Sequence, residues 1–285
     1  MKDILSYSLK NILSPENELA ENGGFCPDNK FTRNECSNID VQNLNVFIKD
    51  NHILKDINLF IPDNKITCII GPSGCGKSTF LRTLNRLTDD VEGVKRTGRI
   101  LINKENILDD NCDITRLRRT MGLVSQRPCP LPMSIFDNVA YGCKIHGIRN
   151  KKQLSSIVEY YLKSVALWDE VKERLKSPAA RLSIGQQQRL CLARSLAVEP
   201  QFILADEATS SLDPVSSRNI ESLFVKLKSE YSIILVTHIL QQALRIADYV
   251  IFMYLGEIIE AGDKQEIFYK PKNKLTKEYI SGSFS

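Results

Sequence analysis

The sequence predicts an α/β fold with a parallel core sheet, and three observations carry that prediction. A short apolar run, Ile66–Ile70, precedes a glycine-rich loop at 71–79 and then a helical pattern, which is the strand–loop–helix unit of such folds. Two further apolar runs, 201–205 and Ser232–Val236, end in polar residues, as strands of a covered parallel sheet do. Between residues 126 and 182, apolar residues recur at three- and four-residue spacing. The predicted order is therefore sheet, helical insertion, sheet.

The loop at 71–79 has the pattern of a phosphate-binding loop, Gly-x4-Gly-Lys-Ser. Its glycines let the backbone wrap a polyphosphate, whose charge the loop amides and the helix N-terminus would offset. Lys77 is expected to reach the β- and γ-phosphates, and Ser78 to ligate Mg²⁺. The alternative is a chance glycine turn, which the flanking strand and helix disfavour. The predicted nucleotide contacts, for ATP or GTP, are Gly71, Pro72, Ser73, Gly74, Cys75, Gly76, Lys77, Ser78 and Thr79.

Composition limits the function classes only broadly. The 285 residues are 42% hydrophobic and 25% charged, which is ordinary for a soluble globular protein. A formal charge of +4 is small for this length and does not argue for a nucleic-acid partner. No window approaches the roughly 20 apolar residues of a membrane span, and we expect no signal peptide. The eight cysteines are scattered without a C-x-x-C pair, which fits a reduced cytosolic setting.

The domain layout follows from the change in composition near residue 40. Residues 1–39 are polar and rich in asparagine, which predicts a poorly ordered N-terminal extension before a folded domain at 40–285. Further predicted elements are strands at 41–48, 53–61, 98–107 and 121–125, helices at 114–119, 134–146, 151–167 and 213–231, and a hairpin at 249–259.

Two carboxylates end the apolar run that begins at Phe202. Ligands of α/β proteins bind at the carboxyl edge of the parallel sheet, so Asp206 is placed to hold Mg²⁺ through water. Glu207, one residue later, is placed to act as a general base on an attacking water. The alternative is a strand that simply stops at two solvated acids. The phosphate loop upstream favours the catalytic interpretation.

Two other motifs allow either a structural or a functional interpretation. Ser183 is a natural N-cap, and its hydroxyl with the following amides would form a second anion site, although an ordinary capped helix is the alternative. His238 follows the strand Ser232–Val236, where a γ-phosphate contact is plausible. A lone histidine is otherwise often structural.

Six motifs then occur in one order along the chain. They are the phosphate loop, Gln126, Leu182-Ser183-Ile184-Gly185-Gln186, Asp206-Glu207, Ser210-Ser211-Leu212-Asp213 and His238. This series resembles the ATP-binding subunits of ABC transporters over residues of about 41 to 285. The linking segments 126–139, 253–263 and 278–284 resemble the phosphate-importing branch of that family.

The resemblance implies the fold and the use of the site. It implies a P-loop NTPase of the ABC ATPase type, with a parallel core sheet, an antiparallel β subdomain and an α-helical subdomain at about 127–197. It also implies a head-to-tail homodimer, in which each ATP lies between the phosphate loop of one copy and the signature residues of the other. Gln126 would contact Mg²⁺ or the attacking water. The signature-side contacts implied for the nucleotide are Ser183, Gly185, Gln186 and Asp213.

The implied partners are two membrane permease subunits and, indirectly, a phosphate-binding protein, which would place the chain on the cytoplasmic face of the cell membrane. The implied function is ATP-driven phosphate import, with ATP and Mg²⁺ as cofactors and no nucleic-acid partner. An importer of another small solute, such as an amino acid, is the first alternative. A soluble ABC ATPase of DNA repair or translation usually has coiled-coil insertions or two ATPase halves, which are absent here. A kinase does not suit the signature motif.

Three residues depart from the family pattern, and Cys75 of the phosphate loop raises a separate question. Ile48 aligns with the aromatic residue that stacks on adenine, and the neighbouring Phe47 should point to the opposite face of its strand. Ile184 replaces a signature glycine, for which we weigh tolerance against slow hydrolysis. Ala208 replaces a proline after Glu207. Cys75 lies near a helix N-terminus, where the pKa of a thiol tends to fall, so it is either redox-sensitive or simply a small loop residue.

Overall fold

Two sheets dominate the computed structural model, which describes residues 38–283. The predicted N-terminal extension therefore lies almost wholly outside the described residues. Within residues 38–283 the strands are β1 (Ile39–Ile48), β2 (Asn51–Ile61), β3 (Ile66–Ile70), β4 (Val94–Ile102), β5 (Glu105–Asn106), β6 (Met121–Val124), β7 (Phe202–Asp206), β8 (Ser232–Val236), β9 (Tyr249–Tyr254) and β10 (Glu257–Asp263).

The strand before the phosphate loop lies inside a six-stranded sheet of order β10-β9-β3-β8-β7-β6. All of its strand pairs are parallel except the edge pair β9–β10, which forms the predicted hairpin. Every residue of β3, β7 and β8 is buried, as expected for strands covered on both faces. The parallel core sheet predicted from the apolar runs is confirmed.

The second sheet is antiparallel, with the order β2-β1-β4-β5. Its first two strands match the predicted pair, and each begins two residues earlier than predicted. The predicted strand 98–107 is interrupted, because Asn103 and Lys104 adopt positive φ values of 51° and 67°. These two residues form a tight turn, so β4 ends at Ile102 and the short β5 pairs back onto it.

The helices are α1 (Lys77–Leu84), α2 (Ile114–Thr120), α3 (Ile135–Ile145), α4 (Lys151–Ser164), α5 (Trp168–Val171), α6 (Ile184–Leu196), α7 (Pro214–Leu227), α8 (Leu240–Ile246), α9 (Lys264–Tyr269) and α10 (Lys274–Ser281). The predicted helices are confirmed to within a few residues at most ends; the exceptions include the C-terminal ends predicted at 167 and 231, where the structure has Ser164 and Leu227. Four helices, α5, α8, α9 and α10, were not predicted; the last two each bury a single residue, Ile267 or Thr276, and so give little periodic signal. None of the described helices has the length and apolar content to cross a membrane.

Two hydrophobic cores lie on opposite faces of the parallel sheet. Ile66, Cys68 and Ile70 of β3 pack with the helical region α3–α6, whereas Ile69 packs with the antiparallel sheet and α1. Adjacent strand residues point to opposite faces, so a single strand contributes to both cores. The phosphate loop leaves the end of this strand and is held between the two layers.

The turn at Leu255-Gly256 joins the two sheets and the phosphate loop through backbone hydrogen bonds. The Lys55 amide of β2 donates to the Gly256 carbonyl at 2.8 Å, and the Gly256 amide donates to the Cys75 carbonyl at 3.0 Å. A Cβ at Gly256 would lie 2.3 Å from the Ile53 carbonyl oxygen. Only glycine fits this contact, since real Cβ atoms do not approach so closely and its φ is +86°.

Candidate functional site

The phosphate loop has backbone geometry that requires glycine at its entrance. A Cβ at Gly71 would lie 2.1 Å from the Met253 carbonyl oxygen, and φ there is +149°. Gly76 has φ +105° and forms the N-cap of α1, which begins at Lys77, inside the predicted loop. The loop therefore ends in a helix N-terminus, the arrangement that suits an anion.

Lys77 is only 5% exposed, and its ammonium group is held inside the loop. Its Nζ donates to the carbonyl oxygens of Gly71 at 2.8 Å and Pro72 at 2.7 Å. The thiol of Cys75 lies 3.9 Å from the same Nζ. Burial raises the pKa of Cys75, and the nearby Lys77 opposes this only in part. The expected fall of that pKa was wrong, because desolvation outweighs the charge and the helix terminus.

A side-chain hydrogen bond joins the helix that follows the phosphate loop to the carboxylate at the end of β7. The Ser78 hydroxyl donates to Asp206 Oδ1 at 2.7 Å, and Asp206 is 6% exposed. Arg82, one turn along α1 from Ser78, lies 3.5 Å from Asp206 Oδ2. A hydroxyl and a carboxylate oxygen side by side are the donor set that Mg²⁺ prefers, so these residues fit a Mg²⁺–nucleotide.

Glu207 connects three loops. Its Oε1 lies 3.1 Å from His238 Nδ1, and its Oε2 accepts from Gln126 Nε2 at 3.3 Å. The same Gln126 amide donates to Ser210 Oγ at 3.1 Å. The Glu207 backbone has φ +48°, in the left-handed region, and its amide donates to the Val236 carbonyl of β8 at 3.0 Å. The structure thus brings together the predicted residues Gln126, Glu207 and His238, which are far apart in the sequence.

The start of α6 has the predicted Ser183 cap and further side-chain hydrogen bonds. The Ser183 hydroxyl accepts from the Gln186 amide at 3.3 Å, and Gln186 Oε1 accepts from the Ser183 amide at 3.1 Å. These reciprocal bonds form a capping box. Gln186 Nε2 also donates to Glu170 Oε2 of α5 at 2.7 Å. The Ile184 side chain is 55% exposed, so its bulk does not disturb the cap.

The start of α7 lies against the start of α6. Asp213 caps α7 by accepting from the amides of Val215 and Ser216, each at 3.0 Å. Hydrogen bonds from Ser216 lower the pKa of the Asp213 carboxyl. A Cβ at Gly185 would lie 3.0 Å from Ser216 Oγ, which shows how closely the two helix starts approach. Val215 is 69% exposed.

The position predicted to stack on adenine, Ile48, has no aromatic side chain. Ile48 is half-buried at the end of β1, opposite Asn51. The Phe47 ring instead stacks on His52, with centroids 4.0 Å apart and an interplanar angle of 16°. Its partner is therefore the cross-strand histidine.

Two neighbours of the site were not predicted from the sequence. Arg82 contacts Asp206, and the only available signal was its i+4 spacing from Ser78. Glu170 accepts from both Gln186 and Arg189, each at 2.7 Å. Burial opposes its ionisation, but hydrogen bonds from Arg189 and Gln186 hold the pKa of Glu170 below its ordinary value. No pattern in the sequence pairs a residue of α5 with the cap of α6.

A family comparison defines the class of protein. Residues 54–210, more than half of the 285-residue chain, match the family described as ABC transporter. The chain belongs to this family. The resemblance inferred from the order of motifs is confirmed, as is the ABC ATPase type of fold.

Comparison with individual relatives shows which branch of the family the chain is most similar to among those compared. The chain is 55% identical to a phosphate import ATP-binding protein PstB of Borreliella afzelii and 54% identical to that of Borrelia garinii subsp. bavariensis. Each alignment spans 246 residues, 86% of this chain and 95% of the relative. The inferred likeness to the phosphate-importing branch is confirmed.

Solved structures agree on the fold. CbiO1 of Clostridium perfringens, part of the ABC transporter complex cbiONQ, superposes with a TM-score of 0.72 at 30% identity, covering 86% of this chain and 96% of that one. A bacterial Atm1-family ABC exporter with ATP bound gives 0.74 at 25% identity, covering 88% of this chain and 42% of that one.

Proposed function

We propose that this chain is the ATP-hydrolysing motor subunit of a membrane importer of inorganic phosphate. The observation that carries the proposal is the cluster at Glu207, where one carboxylate contacts both His238 and Gln126 beside the Ser78–Asp206 pair. A carboxylate base, a neighbouring histidine and a Mg²⁺ donor set at the mouth of a phosphate loop suit hydrolysis of a nucleoside triphosphate. The phosphate cargo is supported by the relatives named phosphate import ATP-binding protein.

In the proposed reaction, MgATP is the substrate. The amides of the loop 71–79 and the Lys77 ammonium would bind the β- and γ-phosphates, and Ser78, Gln126 and water held by Asp206 would hold the Mg²⁺, which would offset the negative charge of the phosphates. Glu207 accepts a proton as water attacks the γ-phosphorus and the bond from phosphorus to the ADP oxygen breaks. His238 stabilises the charge on the γ-phosphoryl oxygens. ADP and inorganic phosphate are released.

A second copy of the chain completes the proposed site. Ser183, Gly185, Gln186 and Asp213 lie on the adjoining starts of α6 and α7, where amides and helix dipoles favour an anion. The exposed Ile184 and Val215 at these same starts support a protein partner over solvent. ATP would hold the head-to-tail dimer closed, and loss of the γ-phosphate would release it.

The helical segment of about 127–197 is proposed as the subdomain that docks on two permease subunits. This segment belongs to a proposed ATPase domain at 40–285. Gln126 lies at its start and contacts Glu207, so hydrolysis and docking would be coupled through this residue. The chain would thereby lie on the cytoplasmic face of the membrane, with a phosphate-binding protein acting on the far side. Import of another small solute is the second candidate, since the same motor can drive a different permease.

Replacement of Glu207 by glutamine tests the motor. Glu207→Gln should lose more than about 99% of ATP hydrolysis, the scale expected for loss of a general base, while ATP binding stays within about threefold. An inactive wild-type chain, or an active Glu207→Gln variant, would contradict the proposal. The cargo is tested in cells that carry this variant as their only copy. Uptake of labelled phosphate should fall, and uptake of labelled amino acids should not; the reverse result would favour the second candidate.

A further inference from the structure

A buried hydrogen-bond network lies behind Glu207 and His238. The side-chain amide of Gln242 donates to Thr209 Oγ1 at 2.8 Å and to Glu221 Oε1 at 3.3 Å. Gln242 is 2% exposed, Thr209 3% and Glu221 5%. Polar groups buried this deeply lose their hydration, so their mutual bonds fix one arrangement of the side chains.

Arg245 makes the position of Glu221 rigid. Its Nε donates to Glu221 Oε2 at 2.9 Å, and its Nη2 donates to Oε1 at 2.7 Å. This two-point contact neutralises a buried carboxylate and sets the plane of its oxygens. Since Oε1 also accepts from Gln242, the glutamine amide is held by an oriented acceptor on α7.

The network joins the two turns that carry the proposed catalytic side chains. Thr209 is two residues after Glu207, in a turn closed by the Ser210 amide donating to the Glu207 carbonyl at 3.0 Å. Gln242 lies in the first turn of α8, and its own amide donates to the Ile239 carbonyl at 3.0 Å, directly after His238. The bond from Gln242 to Thr209 therefore crosses between the Glu207 turn and the His238 turn.

We infer that Gln242 is a positioning residue, which fixes the separation of Glu207 and His238 by bridging their turns. It is buried and is not one of the proposed nucleotide contacts. The 3.1 Å distance from Glu207 Oε1 to His238 Nδ1 is the quantity that it controls. The inference rests on the proposed function, because it concerns the rate of ATP hydrolysis.

The test compares two neighbouring glutamines of α8 in the full chain. Gln242→Met keeps the length of the side chain and removes its amide, and Gln241→Met is the matched control on the exposed side of the helix. The kcat of Gln242→Met should fall by about tenfold, because small misplacements of catalytic groups are costly, while KM and the Kd of ATP stay within about twofold. Equal kcat values for the two variants would overturn the inference. An inactive wild-type chain would instead reject the proposed function.

A second pair of variants separates positioning from stability. Thr209→Val keeps the shape of the side chain and removes the acceptor, and Thr209→Ser retains it. We expect Thr209→Val to lower kcat as Gln242→Met does, Thr209→Ser to restore it, and the double variant Thr209→Val/Gln242→Met to fall little further. Additive losses, or losses that only follow the folded fraction measured by thermal unfolding, would assign the network a structural role and overturn the inference.

Discussion

The two predicted nucleotide-binding regions of the chain are built in opposite ways. In the phosphate-loop region, Lys77 and Asp206 are almost fully buried and bonded to their own chain. In the signature region, at the starts of α6 and α7, Ile184 and Val215 expose more than half of their side chains. The first region is held in shape by the surrounding cores. The second is held mainly by hydrogen bonds near the surface, namely the capping box of Ser183, the Asp213 cap and the bond from Gln186 to Glu170.

This difference indicates which contacts each region can make by itself. In a buried, internally bonded region the side chains have already lost much of their freedom, which lowers the entropy cost of binding a ligand. An exposed pair of helix starts offers amides and apolar surface but encloses nothing. This contrast agrees with the proposal that the first region binds the nucleotide and that the second completes the site in the proposed dimer.

The largest effect is expected in the buried region. Lys77→Ala should lower ATP hydrolysis by about 10³-fold and weaken ATP binding, because the positive charge inside the loop is lost. Lys226→Ala, an exposed lysine of α7, is the control and should behave as the wild type. Steady-state hydrolysis and nucleotide titration measure both effects. If Lys77→Ala were nearly as active as the control, the buried region would not be the one on which nucleotide hydrolysis depends.

A smaller effect is expected in the exposed region. Val215→Glu should weaken ATP-dependent dimerisation by about tenfold, because apolar burial is lost and a charge is placed at the contact. ATP affinity of the monomer should not change. Val225→Glu lies on the same helix, is also exposed and serves as the control. Sedimentation with ATP would measure the dimer, and equal dimerisation of both variants would remove the signature region from the contact.

Substitution of Ile48, the proposed base-stacking residue, should change the affinity for ATP only modestly. Ile48→Tyr should tighten ATP binding by about three- to tenfold, because ring stacking contributes about 1–3 kcal/mol and isoleucine retains part of it. Phe47→Tyr should have no effect, since that ring already stacks on His52. Titration with a fluorescent ATP analogue compares them. Unchanged or weaker binding by Ile48→Tyr would show that the base does not lie on this residue.

Cys75 should be slow to react. Burial raises the pKa of its thiol, so the thiolate becomes abundant only at a higher pH than is usual for cysteine. At pH near 7.5, iodoacetamide should label Cys75 at least about tenfold more slowly than the exposed Cys129. Mass spectrometry of the alkylated peptides gives both rates in one sample. Faster labelling of Cys75 would revive the redox hypothesis.

The smallest effect is expected at Ile184. The capping box is intact with isoleucine in place, so Ile184→Gly should leave the rate of ATP hydrolysis within about twofold of wild type. This favours the tolerance interpretation of the departure from the family pattern. A several-fold faster Ile184→Gly variant would support the slow-hydrolysis interpretation instead.

The sequence predicted most of the phosphate-loop region because its constraints are local. The limits of β3 and β8 were predicted to the residue, since short buried strands give uninterrupted apolar runs. Glycine and lysine spacing placed the loop, and the strand-end rule placed Asp206, Glu207 and His238 on one edge.

What could not be predicted depends on contacts between distant residues. The pKa of Cys75 depends on packing that its neighbours in sequence do not reveal. Thr209 and Gln242 are 33 residues apart, and neither lies in a motif that indicates a polar partner. The pairing of Glu170 with Gln186 likewise requires the packing of α5 on α6.

The turn at Gly256 fixes the position of the phosphate loop relative to the antiparallel sheet. Its carbonyl is bonded to β2 and its amide to Cys75, so one peptide unit spans from the antiparallel sheet to the loop. Any displacement of the antiparallel sheet is passed directly to the Cys75 backbone, with no flexible side chain in between. Since β1 pairs with β2, the proposed base contact at Ile48 and the proposed phosphate contacts of the loop would keep a constant spacing.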